Sequence, residues 1–277
     1  MNARLFPLIR AMSHMCLAVG CLLFFSPEQA GAAGPDPAQA LIAAYPEAHM
    51  VLEEEAGNRY IRIGDARLLF SPATGCPAAT PDQPVDAPLC AMFSQPYPAG
   101  EGGRHPAPGF DPGRIRNEAL LKALYGKSGP EVERDTTLVS FAGERLAFST
   151  RQGAAAALAR VAARLETLMR DHPETRGYIL PTAGTFFWRT VKGSPRLSAH
   201  SFAIAVDLNV KKGIYWQWVK AGSEAMVERV RTAYPQAVVE AFEAEGFIWG
   251  GKWAAFDLMH FEYRPELLPS GSRPRVR

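Results

Sequence analysis

The chain has 277 residues, which is enough for one elaborated domain, or for a domain with an extension, and for a sizeable core. Hydrophobic residues make up 47%, charged residues 21%, and the formal net charge is +2, as in an ordinary globular protein. The chain has no basic run that indicates nucleic acid as a partner, and its charge favours an anionic surface only weakly.

The first 33 residues have the three parts of a secretory signal peptide. Arg4 and Arg10 form a positive start, residues 15–25 are continuously apolar, and a stretch of small residues ends at Ala33. We therefore expect cleavage at the end of this stretch and export to the periplasm. Because the apolar run is short for a membrane span, we expect no stable membrane insertion after signal removal; an uncleaved anchor is the alternative.

Removal of the signal would leave two cysteines, Cys76 and Cys90, in a Pro-rich segment. An even pair in an exported chain predicts one disulfide, which would contribute about 3 kcal/mol for a short loop. Two free thiols are the alternative. Cys21 weakly resembles a lipoprotein cleavage site, but the apolar residues that follow it favour an uncut signal.

The pattern before residue 130 predicts helices at both ends and strands between them. The predicted elements are a helix over 37–45, two strands around 56–58 that continue into 66–70, and a helix over 117–125. Residues 72–113 are rich in Pro, Gly and Ala, which indicates an irregular loop tied by the disulfide.

The rest of the chain predicts a hairpin, a long helix, a short buried strand and two further helices. These elements are residues 138–149, 153–170, 177–180, 223–233 and 236–245. On the long helix one face is apolar, formed by Leu158, Val161, Leu165 and Leu168, so this helix is expected to support the core.

Two short segments alternate in the manner of strands and carry the residues with metal chemistry. In residues 204–210, Ile204, Val206, Leu208 and Val210 face one way, and Asp207 lies on the opposite face among small and polar neighbours. In residues 259–263, His260 and Glu262 share one face.

Two such strands side by side would present Asp207 and His260 to one ion, with His200 reaching in from the preceding turn. Two imidazoles and one carboxylate suit zinc and leave a fourth position for water, and Asp257 offers a nearby carboxylate base. The alternative is that each histidine is a structural residue in an apolar strand.

The pattern Ser198-x-His200-x-x-Ala203-x-Ala205-x-Asp207 resembles the S-x-H-x-x-G-x-A-x-D motif of the zinc D-Ala-D-Ala carboxypeptidase family. That family includes vancomycin-resistance-type D,D-peptidases and L-alanyl-D-glutamate endopeptidases. The residues Gly250-Gly-Lys-Trp253, followed by Asp257-x-x-His260-Phe-Glu262, resemble the second half of the family pattern. The resemblance covers residues 176–268 and implies nothing specific for residues 34–130.

The resemblance implies that His200, Asp207 and His260 are the zinc ligands. It implies that Asp257 is the catalytic carboxylate, where many members have Glu. It also places Arg189 where an arginine binds the carbonyl or carboxylate of the substrate; a surface arginine on a strand is the alternative.

Three other residues of the motifs carry weaker expectations. Ser198 and Glu262 are candidate partners that orient the ligands, although Ser198 is equally explained as a turn-forming serine. Ala203 stands where the motif has glycine, so we expect a slightly altered turn there.

The implied activity is zinc-dependent hydrolysis of peptidoglycan stem peptides. We favour a D-alanyl-D-alanine carboxypeptidase, in which Arg189 or Arg196 would bind the free carboxylate. The first alternative is an L-alanyl-D-glutamate or cross-bridge endopeptidase, which needs an open groove on both sides of the metal. An inactive binding module for cell-wall peptides is the alternative of another class, and Asp257 argues against it because a binder needs no base. Residues 215–218 are aromatic and either line a groove or pack at its rim.

These expectations together predict an α+β fold in which a small antiparallel sheet, flanked by helices, carries the zinc site. We divide the chain into a signal peptide over 1–33, an N-terminal extension with the disulfide over 34–130, and a zinc peptidase catalytic domain over 131–277.

Overall fold

The computed structural model describes residues 36–80 and 87–269. The predicted α+β fold is confirmed, since these residues form small antiparallel sheets flanked by helices. The predicted signal peptide, with Cys16 and Cys21, lies outside the described residues.

The predicted helices and strands appear in the predicted order with one exception, and residues 129–134 and 247–249 add a helix and a strand that the sequence pattern did not predict. The helices are α1 (Pro37–Ala44), α2 (Glu118–Tyr125), α3 (Gly129–Arg134), α4 (Ala154–Asp171), α5 (Arg176–Ile179), α6 (Glu224–Ala233) and α7 (Gln236–Glu243). The strands are β1 (Val51–Glu55), β2 (Asn58–Ile63), β3 (Ala66–Ser71), β4 (Thr136–Phe141), β5 (Glu144–Ser149), β6 (Ala205–Asp207), β7 (Phe247–Trp249) and β8 (His260–Tyr263).

The exception is the predicted strand over 177–180, which is wrong. These residues continue a helical turn that starts at Pro173 and runs into α5. A short apolar run fits a buried helical turn as well as a strand, and here the preceding turn decides the conformation. The predicted face of α4 is confirmed at Leu158, Val161 and Leu165, which are buried, whereas Leu168 is only partly buried.

The first sheet has the order β1-β2-β3, and the loop after it carries the predicted disulfide. Cys76 and Cys90 are bonded, which confirms that prediction, and Cys90 is buried. The disulfide thus ties the irregular loop to the core beneath the sheet.

The third sheet is the one that positions the functional residues. Its order is β6-β8-β7, so β8 is the central strand and both of its neighbours run antiparallel to it. Phe261 on β8 stacks on Phe242 of α7 with ring centroids 4.0 Å apart, which fixes the strand against the helix layer. The predicted orientation of Val210 is wrong: it is exposed, because β6 ends at Asp207 and the chain then turns.

Residues that the sequence assigned to an N-terminal extension pack closely against the rest of the chain. The described residues belong to one compact unit, and the boundary at residue 130 stays a prediction. The Tyr45 hydroxyl donates to Glu266 Oε2 at 2.6 Å, and Trp253 Nε1 donates to the Pro112 carbonyl at 2.6 Å. None of the helices in the described part of the chain is long and apolar enough to cross a membrane.

Candidate metal and catalytic site

Two neighbouring strands and one turn bring His200, Asp207 and His260 together. Asp207 on β6 and His260 on β8 are directly paired across the sheet, while His200 lies in the helical turn Ala199–Phe202 just before β6. One donor atom from each residue lies within 4.8 Å of the others. The strand alternation seen in the sequence therefore does place these three side chains around a common point.

The turn that holds His200 is closed by a residue with a left-handed backbone. Ser198 begins the turn, and its Oγ accepts from His200 N at 3.3 Å. Ala203 ends the turn with φ 52° and ψ 40°, a conformation that glycine adopts more easily. The turn thus keeps the positive φ associated with the motif glycine even though the residue is alanine.

The hydrogen bonds of His200 determine which ring nitrogen is available to a metal. His200 Nδ1 lies 2.5 Å from the Thr185 carbonyl oxygen, an acceptor that can only be matched by an N–H. His200 Nε2 is then unprotonated in the neutral ring. It lies 3.3 Å from Asp207 Oδ2 without hydrogen-bond geometry, and this buried atom has no hydrogen-bond partner among the described residues.

His260 is oriented by a carboxylate on its far side. Its Nε2 lies 3.0 Å from Glu262 Oε2, and its Nδ1 lies 2.9 Å from Asp207 Oδ1. If Nε2 donates to Glu262, the lone pair of Nδ1 points toward Asp207 and His200. A carboxylate that fixes the ring of a ligating histidine in this manner is a common feature of metal sites.

The charges in the site favour a cation between Asp207, His200 and His260. Burial opposes the ionisation of Asp207, but His200 and His260 outweigh burial and hold its pKa well below the usual range. Burial likewise opposes protonation of His260, but Asp207 and Glu262 outweigh it and raise the pKa of His260 to about 10. The donor set and the unpartnered His200 Nε2 therefore fit a divalent metal ion.

Asp257 lies in the turn that leads into β8, on the same cleft. Its main-chain N–H donates to the Gly250 carbonyl at 3.0 Å, and a Cβ on Gly250 would lie 2.6 Å from the Asp257 carbonyl oxygen, so this close approach requires glycine. Its side-chain Oδ1 is buried without a partner among the described residues. Burial raises the pKa of Asp257 to about 6, which suits a carboxylate that accepts and returns a proton near neutral pH.

The cleft around these residues has a volume of about 360 Å³ and is lined by cationic side chains. Arg189 lines it, and its main chain is tied to Ser201, whose Oγ accepts from Arg189 N at 2.9 Å. Arg196, the other arginine expected from the sequence, also lines the cleft, as do Arg114, Arg116 and Lys192.

An aromatic wall borders the same cleft. Tyr215 and Trp218 line it and contact each other edge to face at 5.8 Å, and the side chain of Trp218 is 59% exposed. Of the two interpretations of residues 215–218, the structure supports a groove-lining position for these two residues.

Two arginines near the metal site were missed by the sequence analysis. Arg116 and Arg264 both contact Glu262, and no local pattern indicates Arg116, which is 146 residues away from Glu262 along the chain. Arg264 directly follows β8, so its proximity to Glu262 could have been inferred by extending the strand.

Comparison with known proteins supports the resemblance found in the motifs. Residues 192–263 match the family model described as D-alanyl-D-alanine carboxypeptidase. The matched segment includes His200, Asp207, Asp257 and His260, so this part of the chain is similar to peptidases of that type. No curated protein and no solved structure gives a significant match to the chain.

Proposed function

We propose that the protein is an exported, zinc-dependent peptidase that acts on peptidoglycan stem peptides and removes the C-terminal D-alanine from D-alanyl-D-alanine ends. The observation that carries this proposal is the convergence of three metal-binding side chains and the buried carboxylate of Asp257 on one cationic cleft. The family match supports the peptidase type. Export to the periplasm is proposed from the N-terminal sequence alone.

The metal would be held by His200 Nε2, His260 Nδ1 and a carboxylate oxygen of Asp207. Three protein ligands are typical of catalytic zinc, which keeps a further position open for water or substrate. When bound, zinc supplies Lewis-acid chemistry that polarises a carbonyl oxygen and brings the pKa of a water molecule to about 7.

Asp257 supplies the proton transfers of the reaction. Its carboxylate accepts the proton of the attacking water and returns that proton to the nitrogen of the departing amine. The raised pKa of about 6 makes both transfers feasible near neutral pH, because the group is neither a very weak base nor a very strong acid there. A protein that only binds cell-wall peptides has no use for such a group.

The cations of the cleft suit a substrate that ends in a free carboxylate. Arg189 lines the cleft, and we assign it to bind the substrate carbonyl or carboxylate; Arg114 and Lys192 add positive charge along the same cleft. A charge-assisted hydrogen bond to a carboxylate is about twice as strong as a neutral one. A D-alanyl-D-alanine terminus offers such a carboxylate, whereas an internal peptide bond does not.

An L-alanyl-D-glutamate or cross-bridge endopeptidase is the second candidate. The exposed ring of Trp218 favours it, because this ring extends the cleft with apolar surface that a longer peptide would cover.

The experiment that separates these functions is a digestion of purified peptidoglycan by the zinc-loaded mature protein, with a chelator-treated control. Mass spectrometry of the products identifies the bond. Release of free D-alanine supports the carboxypeptidase. Release of stem peptides or of opened cross-links identifies the endopeptidase. If neither free D-alanine nor such fragments are released, the protein is not a peptidase of this substrate class.

A further inference from the structure

Glu262 is a fully buried carboxylate between the metal site and two arginines. Its side chain is 0% exposed, and the side chains of Arg116 and Arg264 are 14% and 1% exposed. A buried charge is tolerated only when its partners satisfy both oxygens, and removal of one partner leaves it uncompensated. The position of Glu262 therefore depends on these two arginines.

Both arginines bind Oε1 of Glu262, but of the two only Arg116 binds Oε2. Arg264 Nη1 donates to Oε1 at 2.9 Å. Arg116 Nε lies 3.0 Å from Oε1 and 3.2 Å from Oε2, and Arg116 Nη2 donates to Oε2. Oε2 is also the oxygen that faces His260 Nε2 at 3.0 Å. Arg116 thus holds the oxygen that orients the imidazole.

Arg264 has a second acidic partner, which limits its freedom to compensate for Arg116. Its Nε donates to Glu266 Oε1 at 2.5 Å, and Glu266 Oε2 in turn accepts from the Tyr45 hydroxyl at 2.6 Å. Because Arg264 is shared between two buried carboxylates, it cannot turn fully toward Glu262 without leaving Glu266 with Tyr45 alone.

Arg116 comes from a part of the chain that the family match does not reach. The match begins at residue 192, and Arg116 lies just before α2. The segment that carries it is fixed against the site by two main-chain contacts: the Gly113 carbonyl accepts from Arg264 Nη1 at 2.9 Å, and the Pro112 carbonyl accepts from Trp253 Nε1 at 2.6 Å. These contacts hold in place the segment that carries the Arg116 guanidinium.

We propose that Arg116 is a positioning residue for the metal site, which holds Glu262 against His260 Nε2 and thereby keeps His260 Nδ1 aimed at the metal. The N-terminal part of the chain, to which no sequence pattern assigns a role, completes the site through this residue. The proposal rests on the metal site of the proposed function but not on the identity of the peptide bond that is cleaved.

The test measures metal binding without substrate, so that its outcome is independent of the proposed activity. The zinc dissociation constant of the full mature chain is measured by competition with a chromophoric chelator, for the wild type, Arg116→Met and Arg116→Lys. We expect Arg116→Met to weaken zinc binding by roughly 10–100-fold, which is typical when a partner behind a metal ligand is lost. Arg116→Lys keeps the charge but loses the forked geometry, so its affinity should lie between the other two.

A matched control separates positioning from a general loss of stability. Lys252 forms a comparable buried ion pair with Glu243 at 2.6 Å, and it does not line the cleft. Lys252→Met should lower the thermal midpoint of the metal-free protein yet leave the zinc dissociation constant unchanged. The absorption spectrum of the cobalt-substituted protein should change in Arg116→Met and not in Lys252→Met, since only the former alters the ligand orientation.

The zinc dissociation constant and the cobalt spectrum can each contradict the proposal. If folded Arg116→Met binds zinc within about twofold of the wild type and gives an unchanged cobalt spectrum, Arg116 does not position the site. If Arg116→Met does not fold, the decision passes to Arg116→Lys, in which unchanged affinity and an unchanged spectrum would equally refute the role.

Discussion

Asp207 and His260 are direct partners in the register of β6 and β8, and Asp207 Oδ1 lies 2.9 Å from His260 Nδ1. Two of the candidate metal ligands are thus placed by strand pairing rather than by a loop. A slip of this register by one residue would turn Asp207 to the opposite face of the sheet. The central position of β8, with a neighbour on each side, makes such a slip costly.

Removal of the proposed base should separate catalysis from metal binding. We expect Asp257→Ala to bind zinc as the wild type does, because Asp257 is not among the grouped donors, and to lose about 10²–10⁴-fold in kcat. Steady-state hydrolysis of a D-alanyl-D-alanine peptide and the zinc content of the purified protein check this. Asp65→Ala, at an exposed turn, is the control. Full activity in Asp257→Ala would refute the assigned role.

Zinc should stabilise the folded protein through the three donors. A ligand that binds only the folded state at 100 times its dissociation constant adds about 2.7 kcal/mol to the free energy of unfolding. We expect zinc to raise the thermal midpoint of the wild type and a chelator to reverse the rise, whereas Asp207→Ala should show neither change. Magnesium at the same concentration should have no effect, because two of the three donors are imidazoles. An equal response of Asp207→Ala to zinc would place the metal elsewhere.

Arg189 should distinguish a substrate with a free carboxylate from one without. It lines the cleft, and its main-chain N–H donates to Ser201 Oγ at 2.9 Å. We expect Arg189→Ala to lower the ratio of kcat/KM for a peptide acid over the matching peptide amide by about 10-fold or more, as expected for a lost charged hydrogen bond. Arg145→Ala, on the exposed side of β5, is the control. An unchanged ratio would show that Arg189 does not contact the carboxylate.

Replacement of Ala203, which has a left-handed backbone, by the glycine of the family motif should not lower the stability of the fold. Ala203→Gly removes a backbone strain of about 1–2 kcal/mol, which offsets the lost burial of one methyl group. We expect the free energy of unfolding to be unchanged or higher by denaturant titration. Ala157→Gly, at an equally buried position inside α4, should instead lose about 1 kcal/mol or more. Equal losses in both variants would contradict the strain at Ala203.

The sequence predicted that His200, Asp207 and His260 lie together, because this grouping depends on local structure. The alternation around Asp207 and around His260 determines which faces carry the donors, and the motif places His200 one short turn earlier. Cys76 and Cys90 are the two cysteines outside the predicted signal peptide, and they are bonded. Each of these inferences needs only residues that are close together in the chain.

The sequence could not predict features that depend on distant contacts. Arg116 meets Glu262 only because the chain before α2 folds over the third sheet, and no spacing rule reports such a contact. Residues 177–180 have an apolar pattern compatible with either type of element, and the helical turn begun at Pro173 decided between them. Val210 continued the alternation in the sequence after the strand itself had ended.

The contact between Arg116 and Glu262 has a consequence for chimeric proteins that combine this chain with segments of another protein. A chimera that keeps the residues matched to the family but replaces everything before α2 would retain all three metal donors and Asp257. It would nevertheless lose the guanidinium behind His260 unless the new segment carried an arginine at the same place. If Arg116 has the proposed role, the functional unit of this chain extends to the buried Arg116–Glu262 ion pair, beyond the limits of its sequence similarity.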